Sequence, residues 1–233
     1  MSKRGQATIF VVIAILIIVI VLLVIFLVPK INVSQVSLPD GTKAYITDTV
    51  NFESETTVIA AGLHGGKIPP RPSFSTDYGL VSYWLLDGDS YFPTTNEIEK
   101  DMNLFLENNL RYKLNFSDKQ FSWETTIEDI NINSSILQDQ ILITTDLAIL
   151  LKKGSQSARI KESRTNTYDV SLLEMLNTGE MIVQNYAQET LQPEDVGNFE
   201  LQILNFNETK VFVLTDKTKQ IGDMNYTLMF AAK

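Results

Sequence analysis

Residues Ile9 to Val28 form an unbroken run of 20 uncharged residues, IFVVIAILIIVIVLLVIFLV, behind a head carrying Lys3 and Arg4. As an α-helix rising about 1.5 Å per residue, the run is roughly 30 Å long, the thickness of a bilayer's hydrocarbon core. A helix on the surface of a soluble protein would carry polar residues at every third or fourth position, and none occurs here. Its many Ile and Val residues disfavour a helix in water, but in lipid only a helix satisfies every backbone amide locally. The run therefore reads as a membrane span, and the lipid bilayer as the first expected partner. A cleaved secretory signal has a shorter apolar stretch and a small-x-small site, which Leu27-Val28-Pro29-Lys30 does not supply.

Flanking charge gives the orientation. Lys3, Arg4 and the terminal amine lie on the short side, and only Lys30 sits immediately beyond the span. The positive-inside rule keeps the N-terminus in the cytoplasm and sends residues 31–233 across the membrane. The expected plan has a basic head or leader (1–5), a transmembrane helix (6–30) and a tether (31–42) closing on Pro39-Asp40-Gly41. An extracytoplasmic domain (43–233) follows, with sub-blocks 43–170 and 171–233 meeting near Ser171.

With Lys3, Arg4 and Lys30 set aside, 16 basic residues face 28 acidic ones in that domain. Such a surface repels nucleic acid and does not lie flat on anionic lipid. The chain has no Cys, which removes thiolate metal sites and thiol catalysis, and a domain this size can bury a core without disulfides.

Periodicity predicts an α+β domain of antiparallel sheet with about three helices. One helix spans about Lys43 to Leu63, with Ile46, Val50, Ser54, Val58 and Ala61 on one stripe and Lys43, Asp48, Glu53 and Glu55 pointing elsewhere. Gly65-Gly66 ends it, and Ile68-Pro-Pro-Arg-Pro72 then reads as polyproline-like extension. Leu80 to Phe92 reads as a hairpin turning at Asp87-Gly88-Asp89. Thr94 and Glu97 form a capping-box pattern opening a helix to about Asn109, with Ile98, Met102, Phe105 and Leu106 inward. Strands follow at Gln120–Ile132, Gln140–Leu151 and Ala158–Tyr168. Ser171 and Glu174 cap a third helix to about Glu189, with Leu172, Leu176, Val183 and Tyr186 inward and Gly179 beside that stripe. Three strands finish the chain, at Phe199–Phe206, Lys210–Asp216 and Met224–Ala231.

No residue set declares a reaction. His64 is the only histidine, which excludes a multi-histidine metal site and a triad with a histidine base; at a helix end it reads as a turn residue. Asp87-Gly88-Asp89 lacks the alternating acids and terminal Glu of a calcium loop, so turn chemistry accounts for it. Tyr83, Trp84 and Trp123 could form a sugar platform, though alternating large residues on strands are more often core. No phosphate-binding or dinucleotide glycine motif occurs, and no cofactor is expected. Asn-x-Ser/Thr acceptors begin at Asn32, Asn115, Asn133, Asn207 and Asn225, as suits an exported chain.

The head Lys3-Arg4-Gly5-Gln6-Ala7-Thr8-Ile9-Phe10 resembles the class III signal of archaeal type IV pilin-like proteins. The resemblance implies cleavage between Gly5 and Gln6, and self-association through the N-terminal helix. Two departures stand against it: the fifth mature position, often Glu in pilins, is Phe10, and Pro29 interrupts the helix. The expected mixture of helices and strands also differs from the usual all-β pilin head. The whole chain is similar to a group of archaeal single-span surface proteins that share this head, the stretch Gly62-Leu-His-Gly-Gly-Lys-Ile68 and a closing strand like Tyr226 to Lys233. That likeness implies export and anchoring and brings no activity.

The leading expectation is a non-enzymatic, membrane-anchored cell-surface protein, pilin-like at its N-terminus, acting in adhesion or envelope assembly. A non-polymerising module that binds envelope polymer or a partner protein is the second reading. An exported enzyme acting on glycans or peptides is the third, and it calls for a pocket with convergent carboxylates.

Overall fold

A computed structural model describes residues 41–77, 79–115, 117–118, 123–188 and 196–233. The leader at Gly5 and Gln6, the span Ile9–Val28, Asn32 and the tether as far as Asp40 lie outside the described residues, as do Gln120–Ser122 of a predicted strand and Glu189 at the predicted end of the third helix; Thr42, expected in the tether, already belongs to the first helix. Among the described residues, no helix is long and apolar enough to cross a membrane. Leu38–Lys233 forms one compact unit.

The domain is α+β, with three helices among its described residues and two sheets. Helix α1 (Thr42–Leu63) is followed by β1 (Ser73–Thr76), β2 (Gly79–Leu86) and β3 (Asp89–Ser90). Helix α2 (Thr95–Leu114) leads into β4 (Ser117–Asp118), β5 (Trp123–Ile136), β6 (Ile141–Lys153) and β7 (Gln156–Tyr168). Helix α3 (Leu172–Ala187) precedes β8 (Glu200–Phe206), β9 (Thr209–Ile221) and β10 (Met224–Ala232). Sheet 1 runs β1-β2-β10-β9-β8, with β3 also on β2; sheet 2 runs β4-β5-β6-β7.

Sheet 1 departs from the antiparallel expectation at one place. Ala231 stands beside Tyr83 and Ala232 beside Leu85, so β10 pairs with β2 in parallel, while its other pairings are antiparallel. The reason is burial. Val81 to Trp84 are four consecutive buried residues, so β2 has both faces covered and sits inside a sheet, beyond its role in the short hairpin with β3. The strands of residues 43–170 and 171–233 thus share this sheet.

Trp84, Phe230 and Phe212 stack across β2, β10 and β9, with ring centroids 4.2 and 5.3 Å apart. Helix α3 packs on them at Gly179, where an added Cβ would lie 2.6 Å from Trp84 and 2.9 Å from Phe230. Close packing is therefore why a glycine occupies this helix. On the opposite face Val81, Tyr83, Val211, Met229 and Ala231 form a second cluster flanked by half-buried Phe74 and Phe206.

Sheet 2 is a meander of long strands. Ile141, Ile143, Leu147, Ile149 and Leu151 are all buried on one face of β6, as their alternation predicts, with Trp123 and Thr125 of β5 on the same side. A bulge between Ile127 and Asp129 resets the register of β5. Helix α2 covers this face and also closes the edge of β5. Its Asn103 and Glu99 side chains accept hydrogen bonds from the backbone N–H groups of Ser134 and Ile136, each at 2.8 Å.

Helix α1 reaches both sheets. Toward its N-terminal end the Thr47 hydroxyl donates to Glu162 of β7; toward its C-terminal end the Tyr226 hydroxyl of β10 donates to the Val58 carbonyl. Glu53, expected to point away from the core, is instead 3 % exposed. Helix α2 packs beside α1 there, and Asn109 donates to the Glu53 carboxylate at 3.1 Å.

Thr94 and Glu97 form the predicted capping box, and α2 runs on to Leu114. Phe105 is half-buried, while Ile98, Met102 and Leu106 are fully inside. Ser171 makes no cap hydrogen bond. Its hydroxyl is engaged by Asp216 instead. The Ile68 to Pro72 stretch bends at two places and contains two cis X-Pro bonds, so the extended form expected there does not occur.

Candidate functional surface

The Gly62–Ile68 stretch singled out in the sequence is a docked helix terminus. The Gly66 N–H bonds the Ala61 carbonyl and the Gly65 N–H the Gly62 carbonyl, the paired pattern that closes a helix through left-handed residues; both glycines have positive φ. The turn is fastened to sheet 1. The Trp84 indole donates to the Gly65 carbonyl at 2.9 Å and the Ser82 hydroxyl to the His64 carbonyl at 2.6 Å. An added Cβ on Gly62 would lie 2.3 Å from the Thr227 carbonyl oxygen. These glycines therefore serve close backbone approach. His64 is a turn residue, as expected. Its Nδ1 is buried without a hydrogen-bond partner, and burial lowers the imidazole pKa.

The aromatic candidates belong to the core. Trp84 is stacked on Phe230, the Tyr83 hydroxyl lies 3.0 Å from the Thr209 hydroxyl, and Trp123 is buried at the end of sheet 2. Asp87 and Gly88 both have positive φ and connect the paired residues Leu86 and Asp89, so this acidic segment is a two-residue hairpin turn. Among the described residues, no group of three or more His, Cys, Asp or Glu side chains could hold a metal ion.

Three depressions stand out among the described residues. One of about 710 Å³ is lined by Leu85, Tyr186, Ile203, Lys210 and Lys233 among others. Lys210 stands over the Tyr186 ring at 4.7 Å, and Lys233 pairs with Glu208 at 3.0 Å. A second, of about 350 Å³, lies between α3 and the start of α2, with Glu180 as its one acid. The third is an apolar notch of about 100 Å³ bordered by Ile59, Leu63, Ile221 and Met224. No two carboxylates line any of the three; beside the first, Lys233 reaches both Glu208, at 3.0 Å, and Asp87, at 3.9 Å.

The outward face of sheet 2 carries small polar side chains in register. Asn131, Asp146 and Ser163 form one row; Asn133, Thr144 and Thr165 form the next; Ser135, Leu142 and Thr167 a third. Within these rows the Ser163 hydroxyl donates to Asp146 at 2.6 Å, and the Thr144 and Thr165 hydroxyls lie 3.0 Å apart. Chemically this face offers donors and acceptors on a rigid lattice and few long side chains to order, which lowers the entropic cost of a contact.

Of the sequon asparagines, Asn115, Asn133, Asn207 and Asn225 are exposed. Asn133 stands in the middle of the polar face, with Ser135 beside it on the same side. The Thr209 hydroxyl of the Asn207 sequon is buried against Tyr83, and Asn225 accepts a hydrogen bond from Gln220. Strand alternation could have predicted the polar face. The predicted strand ends at Ile132, whereas β5 continues to Ile136 and so brings Asn133 and Ser135 onto that face.

No family model, no curated protein and no solved structure matches this chain.

Proposed function

We propose that this chain is a membrane-anchored cell-surface protein without enzymatic activity, acting in adhesion or envelope assembly through its exported domain. The observation that carries the reading is the run Ile9–Val28, whose 20 uncharged residues find a stable setting only away from water. The finer statement is that the leader is cut after Gly5, so that the mature chain begins at Gln6 and its apolar helix holds copies together in the envelope. The acidic balance of the domain favours solubility beyond the membrane. We assign contact with envelope glycans or proteins to the polar face of sheet 2, where exposed Asn131, Asn133, Asp146 and Ser163 are grouped on adjacent strands. The depressions described above give no support to a paired-carboxylate mechanism.

Membrane fractionation combined with protease added outside intact cells tests the reading. The expected result is full-length material in the membrane fraction whose domain is degraded from outside. Recovery in the aqueous fraction, or a domain untouched by external protease, overturns it. N-terminal sequencing decides the leader: Gln6 is expected first, and Met1 or Ser2 rules out the pilin-like cut.

A further inference from the structure

The fold gives a structural task to every Asn-x-Ser/Thr acceptor among the described residues except one. Asn207 has a φ of 52° and opens the two-residue turn between the paired Phe206 and Thr209, a conformation Asn tolerates better than most residues. The Thr209 hydroxyl that completes its acceptor is buried, 3.0 Å from the Tyr83 hydroxyl. Asn225 accepts a hydrogen bond from the Gln220 side chain at 3.1 Å, and the Thr227 hydroxyl donates to the Asn225 carbonyl at 3.2 Å. Asn115 is the C-cap of α2, its N–H bonded to the Arg111 carbonyl. Asn133 is the exception. It is exposed within β5, although Asn is depleted in strands, and Ser135 stands half-buried beside it on the outward side. Among the described residues, neither the Asn133 carboxamide nor the Ser135 hydroxyl is held by a partner.

We propose that Asn133 is an N-glycosylation site, so that the polar face of sheet 2 carries a saccharide attached there. Such an acceptor needs an Asn amide that can be reached and, two residues on, the hydroxyl that marks it. Strand alternation puts both on one side of β5, about 7 Å apart along the strand. The intervening Ser134 is buried, and Asn103 of α2 accepts its N–H at 2.8 Å, which fixes the backbone with the pair facing outward. Across from Asn133 lie Thr144 and Thr165, and across from Ser135 lie Leu142 and Thr167. These side chains are short enough to leave room for a sugar ring at Asn133, and the hydroxyls can donate to it and accept from it. In the transfer, the Asn133 Nδ2 attacks the anomeric carbon of a saccharide carried on a lipid phosphate. A C–N bond forms, the C–O bond to the phosphate breaks, Nδ2 releases one proton and the lipid phosphate departs. On the exported reading above, on which this site rests, the domain then meets the envelope partly through carbohydrate of its own.

Trypsin releases Asn133 in the fragment 120–152, between Lys119 and Lys152, and no other Asn-x-Ser/Thr acceptor falls within it. The test maps that fragment by mass spectrometry in the full-length chain purified from native membranes. A fragment heavier by one or more sugar residues, with the added mass located on Asn133, is the expected result. Asn133→Gln and Ser135→Ala should each return the fragment to its bare mass, whereas Ser135→Thr should keep the saccharide. A bare Asn133 in the unaltered chain overturns the site, whatever Asn32, Asn115, Asn207 and Asn225 carry, and so decides it even if a variant fails to fold. Added mass located on Ser134 or Ser135 in place of Asn133 also overturns it. The exported reading fails separately. Membrane-bound material that external protease degrades but that is bare at Asn133 keeps the export and loses the site. A saccharide at Asn133 on a chain recovered from the aqueous fraction keeps the site and loses the anchor.

Discussion

Sheet 2 takes β5, β6 and β7 from one continuous stretch of chain, whereas sheet 1 sets Tyr83 of β2 beside Ala231 of β10. The first is stitched by short turns such as the one through Gly154, whose φ is positive, and it leaves one face to solvent. The second is closed only when the end of the chain returns to its beginning, and both of its faces carry buried side chains. The difference teaches where each resource is spent. The non-local sheet holds the aromatic core and fixes the glycine-rich end of α1. The local sheet exposes an ordered polar surface at little cost to the fold.

The comparison breaks first at the aromatic stack. Phe230 is fully buried between Trp84 and Phe212, so Phe230→Ala should destabilise the domain by about 3–5 kcal/mol. Denaturant titration with intrinsic fluorescence measures this, and a loss under ~1 kcal/mol would mean that sheet 1 is not the main core.

A smaller effect comes from acid, and it too should act through sheet 1. Burial lowers the His64 pKa in the folded state, so the unfolded chain binds the extra proton first. The stability this group contributes is whole above about pH 6.5 and drains as pH falls toward the folded value. Asp216 adds a second step. Burial opposes ionisation there, but the Thr218 hydroxyl and backbone N–H, at 2.6 and 2.8 Å, outweigh it and hold the carboxyl below its usual range. Its share is present above about pH 4 and is lost as pH falls through the folded value. Thermal unfolding followed from pH 7 to pH 3 should show both declines; His64→Gln should remove the upper one, and a midpoint flat between pH 7 and 5 would refute the His64 assignment.

The least effect belongs to the polar face. Thr165→Ala and Asn131→Ala should each change stability by no more than ~0.5 kcal/mol, because both side chains are exposed. Loss of binding to isolated envelope material without loss of stability would sharpen the division between a core sheet and a contact sheet. A drop above ~1 kcal/mol would show that the hydroxyl and carboxamide rows are structural.

Legibility tracked the same division. The alternation of Ile141, Ile143, Leu147, Ile149 and Leu151 was enough to place β6, and the Thr94–Glu97 spacing was enough to place the start of α2, because both signals are local. Ser171-x-x-Glu174 shows the same spacing and fails, since Asp216, distant in sequence, engages the Ser171 hydroxyl. Glu53 misled for a similar reason: only packing of α2 brings Asn109 within reach of its carboxylate. The inward stripe of α1 was legible for the same local reason: Ile46, Val50, Ser54, Val58 and Ala61 are all buried.

By itself the sequence determined the uncharged run at Ile9–Val28, the acid excess beyond it, the α+β order of elements and most turn positions. Each is a property of neighbouring residues, fixed by backbone sterics, periodicity or charge. Only the tertiary structure decided that β10 lies parallel to β2, that Gly62 and Gly179 are sites of close approach, and that Phe52 remains outside. Those outcomes depend on which distant segments meet, and pairing energy between strands is much the same for many partners until side-chain packing selects one.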